Sequence, residues 1–237
     1  MAYKGTNYHG WQVQQNALSV CEVLQNAMEK VWHTRPDVKG CSRTDTGVHA
    51  LAYCVSFILP KPISAYKLPL ALNAHLPEDI RVLSAKEVDE DFHARYSSIS
   101  KQYIYKVRNS QVANPFMQGL EWRVGCPLDV QAMQQAAAHY VGKKSFASFM
   151  SGGSKIVDTV REVFEFTVEK HEDNITFTVT ADGYLYNMVR IMVGTLVEVG
   201  CHRIAPQQMP AIIAAENRSL AGPRAPSEGL YLSKVNY

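Results

Sequence analysis

The sequence predicts an α+β fold, and three observations lead there. Strand-like and helix-like patterns mix without a strict βαβ alternation. No glycine-rich phosphate fingerprint follows a strand, as a doubly wound nucleotide-binding sheet would require. The chain also divides into two halves of similar content, residues 1–99 and 100–237, each reading strand, helix, strand, strand. Length agrees with this: 237 residues correspond to roughly one to two domains and bury a core without staples. Apolar residues at 46% and charged residues at 19% exclude intrinsic disorder. The longest apolar stretch, residues 185–199, is interrupted by Asn187, Arg190 and Glu198. It falls short of the roughly 18 to 20 residues a membrane helix needs, so no membrane association is expected. The first residues, MAYKGTNYHGWQ, lack the apolar centre of a signal peptide, which predicts a cytoplasmic protein.

The elements follow in order. Ser19 and Glu22 read as a capping box opening a helix, with Val20, Val23, Leu24, Ala27, Met28 and Val31 at helical spacing. The helix ends near Trp32, ahead of Pro36. After a polar stretch, the apolar run 51–59 reads as a strand. Residues 65–75 then read as a helix and 80–88 as a strand. Tyr103, Tyr105 and Val107 alternate with Ile104, Lys106 and Arg108, a strand with one wet face. Asp129 caps a helix that turns Val130, Met133, Ala137 and Tyr140 inward. Two strands follow, one set by Phe164, Phe166 and Val168, the other by Ile175, Phe177, Val179 and Ala181. An amphipathic helix carries Leu185, Met188, Val189, Met192, Val193, Leu196 and Val197. A short helix near 207–215 precedes the closing strand GLYLSKVNY.

Charge is informative through its distribution. The net charge of +2 implies no polyanion partner by itself. Residues 78–91 hold six acids and two bases, whereas residues 92–120 hold Arg95, Lys101, Lys106 and Arg108 and no acid. Such a stretch suits a phosphate backbone, and equally a strand edge blunted by cations. The five cysteines, Cys21, Cys41, Cys54, Cys126 and Cys201, have no C-x-x-C spacing. That predicts neither a disulfide framework nor a zinc site, and suits a reducing compartment.

One short segment concentrates chemistry. In SRTDTGVHA (residues 42–50) a carboxylate lies beside a cation, two threonines, a glycine and an imidazole. Gly47 is free to take a positive φ. Thr44 and Thr46 can bond the carboxylate or nearby amides and hold Asp45 ionised, as a nucleophile must be. The competing reading is an Asp-Thr-Gly turn whose aspartate serves only the local backbone. An aspartic-protease reading is poor: it needs a partner carboxylate from a dimer or a second copy, no second Asp-Thr-Gly is present, and Ser42, Arg43 and Thr44 stand where those proteases usually present apolar residues. Arg190 is the other anomaly, a cation in an apolar helix, with Tyr186 four residues before it and Gly194 four after. Its guanidinium is expected to lie over Tyr186, with room beside Gly194. Buried there, it needs an anion: Asp45 is one candidate and Glu198 the local structural alternative. Tyr96, Tyr103, Tyr105 and Trp122 bracket the basic stretch, as base-stacking rings or as ordinary sheet packing. His9, His49 and His93 have no metal-ligand spacing, so no metal is expected.

Several separated motifs, in the same order, resemble the tRNA pseudouridine synthase A family nearly end to end. They are GTNYHGWQVQ (5–14), SRTDTGVHA (42–50), ALNAHLPEDI (71–80), DFHARYSSISKQYIYKV (91–107), GYLYNMVRIMVGTLVEVG (183–200) and APSEGLYL (225–232). The resemblance implies two α/β halves related by a pseudo-two-fold, sharing one continuous, mixed and mostly antiparallel sheet flanked by helices. It implies an isomerase that turns uridine into pseudouridine at positions 38 to 40 of the tRNA anticodon stem-loop, without cofactor or metal, as a homodimer. By the same resemblance Asp45 is the catalytic nucleophile and Arg190 its basic partner. Arg43 assists extrusion of the base, and Tyr103 packs on it. The alternative from another class is a non-catalytic RNA-binding module on the same fold. Asp45, Arg43, Tyr103 and Arg190 together argue against it, since binding alone needs no carboxylate in a phosphate-facing cleft.

Three positions depart from the family pattern. The family carries several strand residues before its Tyr-Asp-Gly. This chain starts at Met1 and reads Tyr3-Lys4-Gly5, so either the first strand is clipped or the start codon is misassigned. Ser42 stands where many members have Gly and Asn187 where many have His, both expected to be peripheral to the chemistry.

Overall fold

The computed structural model describes residues 1–153 and 156–237. They form two compact units, Met1–Ile99 with Tyr231–Tyr237, and Ser100–Leu230. In chain order the first unit supplies β1 (Ala2–Tyr3), α1 (Val20–Trp32), β2 (Lys39–Gly40), β3 (His49–Ala50), β4 (Val55–Ser56), α2 (Lys67–Asn73) and β5 (Ile80–Arg81). The second supplies β6 (Ser100–Asn109), β7 (Trp122–Val124), α3 (Val130–Ala138), β8 (Gly142–Ser145), β9 (Val160–His171), β10 (Asn174–Ala181), α4 (Met188–Gly200) and α5 (Met209–Ala214). The last strand, β11 (Leu230–Asn236), returns to the first unit. Strand pairing is mixed and mostly antiparallel, so the α+β class holds. Among the described residues no helix is long and apolar enough to cross a membrane.

In the first unit β1 lies between β5 and β3, antiparallel to both, and β11 runs parallel to β3. The sequence reading assigned residues 231–237 to the second half. Their backbone instead seals the edge of β3, with the Leu51 N–H donating to the Leu232 carbonyl at 2.8 Å. Helix α1 begins as its sequence predicts, because the Ser19 hydroxyl accepts the Glu22 N–H at 3.2 Å. It buries Leu24, Ala27, Met28 and Trp32 and stops at His33, which takes a left-handed φ of 56°. The apolar run 51–59 yields only the two residues of β4, and 80–88 only the two of β5. Ile58 and Leu83 are exposed, so hydrophobicity there does not mark a paired strand.

In the second unit β6, β10, β9 and β8 pair antiparallel in that order, and β7 runs parallel to the end of β6. Helix α3 packs on α4 and on β9, opened by the Asp129 carboxylate accepting the Ala132 N–H. Along β9 the expected alternation breaks. Thr180 pairs with Glu165 but Ala181 pairs with Val163, so Phe164 is the extra residue of a bulge. The slip sends Val163 inward and leaves Phe164 largely exposed. The cysteine expectation also needs correction. Cys126, leading into α3, and Cys201, closing α4, form a disulfide across 75 residues with Cα atoms 6.7 Å apart. The packing of α3 against α4 brings them together, which no sequence spacing reveals.

Candidate active site

The segment 42–50 is held from beneath by side chains far away in sequence. The Asp45 carbonyl accepts the Val48 N–H at 3.1 Å, and Gly47 has φ 78°, which makes residues 45–48 a turn of the kind that demands glycine in its third place. The Thr44 carbonyl accepts the Trp11 N–H at 3.1 Å, and the Gly47 N–H donates to the Tyr8 carbonyl at 3.2 Å. Gly10, with φ 81°, passes so close that a Cβ there would sit 2.3 Å from the Thr44 carbonyl oxygen. The buried Thr44 hydroxyl shares a 2.8 Å hydrogen bond with Tyr3, rather than serving the carboxylate. Tyr53 donates to the Ser42 carbonyl and stacks on Trp11 at 4.3 Å. Tyr8 is pinned in turn by donating to Asp79 at 2.6 Å. Burial, then that neighbouring carboxylate, pushes its phenol well above the ordinary range, so it stays a donor.

This scaffold leaves Asp45 half-buried between an exposed Arg43 and an exposed Thr46. Asp45 therefore stands on a braced loop and is partly open to solvent. His49, the segment's imidazole, is absorbed by the fold. Its Nδ1 accepts the Gly5 N–H at 2.9 Å and its ring stacks on Tyr231 at 4.5 Å.

In the second unit Arg190 is buried, 8% exposed, on the first turn of α4. Its Nε donates to the Ala225 carbonyl at 2.8 Å and its Nη1 to Asn187 Oδ1 at 2.9 Å. The Ala225 N–H returns a bond to the Arg190 carbonyl at 3.1 Å. Two sequence expectations fail here. Glu198 pairs with Arg203 at 2.9 Å and so is not the partner of Arg190. Nor is Gly194 a space left for the guanidinium: the carbonyl of Pro223 fills it. Asn187, read from the sequence as peripheral, is a direct ligand of Arg190. Its spacing of three on a helical turn was the available signal.

Tyr103 lies on the buried face of β6, 6% exposed, with its ring edge-on to Tyr184 at 5.0 Å. The Tyr184 hydroxyl is held at the Lys101 carbonyl, 2.8 Å away, so the Tyr103 ring rests on a fixed neighbour. Tyr105, on the same face, is core: it donates to the Pro226 carbonyl at 2.6 Å. Burial drives its phenol far above the usual range, and the nearby Arg190 charge only partly offsets this. The wet face of β6 carries Lys106 and Arg108, but Arg108 faces Asp173 at 3.3 Å, and Lys101 is buried. The basic stretch is thus less open to phosphates than its composition implies.

The comparisons bear on this geometry. The chain matches the family described as tRNA pseudouridine synthase over residues 1–97 and 136–237. It is 46% identical to the tRNA pseudouridine synthase A of Thermoanaerobacter sp. strain X514 over 235 residues, covering 99% of this chain and 96% of that protein. It is 44% identical to the tRNA pseudouridine synthase A of Moorella thermoacetica over 239 residues, covering 100% of this chain and 97% of that one. Among solved structures, one described as a Cbf5-Nop10-Gar1 complex is similar with a TM-score of 0.35 and 13% identity, over 84% of this chain and 54% of that one.

Proposed function

This chain belongs to the tRNA pseudouridine synthase family, and on that premise we propose that it converts uridine to pseudouridine at positions 38 to 40 of the tRNA anticodon stem-loop. The observation that carries the reading is the braced turn that presents Asp45 beside Arg43. Isomerisation breaks the bond between N1 of uracil and C1′ of the ribose, turns the base and joins C5 to C1′; C5 gives up its proton and N1 takes one up, so the product is an isomer. A carboxylate attacking the sugar C1′ or the base C6 opens that route, as carboxylates do in retaining glycosidases. The target uridine is flipped from its stack at a cost of a few kcal/mol. Arg43 takes part in that extrusion, and Tyr103 packs against the extruded base. Arg190 supplies the positive charge that keeps Asp45 ionised. The enzyme works in the cytoplasm as a homodimer, with tRNA spanning both copies.

The test is direct. Purified protein is incubated with unmodified tRNA transcripts, without added metal or cofactor, and pseudouridine is mapped along the anticodon arm. Product at positions 38 to 40 is expected. Salt-sensitive tRNA binding without product would return the chain to the rank of a binding module. Affinity should fall steeply with salt through counterion release, and Lys106→Ala should reduce that logarithmic slope by about one. An unchanged slope would remove Lys106 from the phosphate contacts. Tyr103→Phe should retain most activity while Tyr103→Ala loses at least about tenfold, because packing on a base requires the ring. Equal losses would shift the role to the hydroxyl.

A further inference from the structure

Asn187 occupies a conformation and a bonding position that the helix alone does not require. It precedes α4 with φ 60° and ψ 13°, left-handed values that non-glycine residues adopt rarely. It is 6% exposed, and both ends of its amide are used. Oδ1 accepts from Arg190 Nη1 at 2.9 Å, while Nδ2 donates to the Ser151 hydroxyl at 3.0 Å. Ser151 is itself tied to this turn, its N–H donating to the Tyr186 carbonyl at 3.0 Å. The guanidinium has only donors and so takes the amide oxygen, which leaves the NH2 for the Ser151 hydroxyl.

Arg190 is consequently held on two sides. The Ala225 carbonyl takes Nε and the Asn187 oxygen takes Nη1, which fixes the plane of the fork as well as its position. A cation that stabilises a reacting carboxylate is effective only if its direction is set before the reaction, since misplacement by about 1 Å costs as much as 10²-fold in rate. Arginine otherwise retains considerable rotamer freedom. The hydrogen bond that the amide donates to Ser151 tethers its other end, and turning the amide over would set its N–H donors against those of the guanidinium.

From this we infer that Asn187 is a positioning residue for the isomerisation, acting through Arg190, and that Ser151 tethers the far end of its amide. The inference rests on the role proposed for Arg190, and the variants separate the two. Asn187→Gly is the decisive one, because glycine takes a positive φ without penalty and so deletes the amide while sparing the backbone. Its thermal midpoint should fall by no more than a few degrees, the lost hydrogen bonding being partly offset by relief of the left-handed backbone. Its kcat on tRNA transcript should fall at least about tenfold, with KM within about twofold. Asn187→His, whose ring nitrogen can accept from the guanidinium, should recover part of kcat. Ser151→Ala should lose less than Asn187→Gly, and the double variant no more than Asn187→Gly alone.

An Asn187→Gly protein with parental kcat overturns the inference, as does a loss confined to KM or one accounted for by the unfolded fraction at the assay temperature. Arg190→Ala tells which layer has failed. If it is fully active, the role given to Arg190 is wrong and the inference falls with it. If it is inactive while Asn187→Gly is not, only the inference is wrong.

Discussion

Replacing Asp45 by Asn is expected to abolish pseudouridine formation, by at least about 10³-fold, or ~4 kcal/mol in the barrier. The substitution keeps size and shape and removes the negative charge that the proposed mechanism uses for attack. The turn should survive, because its closing bond is made by the main-chain carbonyl of residue 45, and its braces come from Thr44, Tyr8 and Trp11. Affinity for tRNA should stay within about threefold, and any change should be toward tighter binding as one repulsive charge is removed. Single-turnover assays with separately measured tRNA dissociation constants give both numbers. Activity within about tenfold of the parent would dismiss Asp45 as the nucleophile.

The second large effect is structural. A Cβ on Gly194 would lie 1.8 Å from the Pro223 carbonyl oxygen and 2.9 Å from its carbon. Both are backbone atoms, so no side chain can swing away. Alanine gains up to ~1 kcal/mol in helix propensity over glycine, but the clash forces α4 from the segment 222–225, and overpacking of this kind costs ~3 kcal/mol or more. The net loss of at least ~2 kcal/mol should lower Tm by about 4 to 8 °C. That segment also carries Ala225, bonded in both directions to Arg190, so kcat should fall at temperatures where the protein is still folded. Gly183→Ala is the control: its new methyl meets nothing nearer than the flexible Arg161 side chain at 3.4 Å. A Gly194→Ala protein with parental Tm would show that the 222–225 segment yields freely.

The two predictions draw on different kinds of legibility. Asp45, with Arg43 and Gly47 beside it, is readable because its chemistry is contiguous in sequence. The braces that make the loop rigid are not, since Tyr3 and Thr44 meet across 41 residues. Local patterns held at Ser19 and Asp129, where cap and helix are neighbours. They failed at Phe164, because a bulge shifts the period by one without leaving a mark in composition. They failed again in 51–59 and 80–88, where an apolar run is paired only where a partner strand is within reach. Arg190 was identifiable as anomalous, but its ligands were not. A buried guanidinium is satisfied by carbonyl oxygens as well as by carboxylates, and the chain brings Ala225 to it from 35 residues away.

The return of β11 to the first unit has a consequence for synthesis on the ribosome. Residues 1–99 emerge first, with β3 lacking its parallel neighbour and His49 lacking the Tyr231 ring that covers it. About 130 further residues must be translated before that neighbour exists, which at ~5–20 residues per second takes about 7 to 26 s. Throughout that interval the nascent first unit exposes an unpaired strand edge. A chain that stops just before Tyr231 makes the exposure permanent, so it should be cleared or aggregate even though it retains every residue assigned a part in the chemistry.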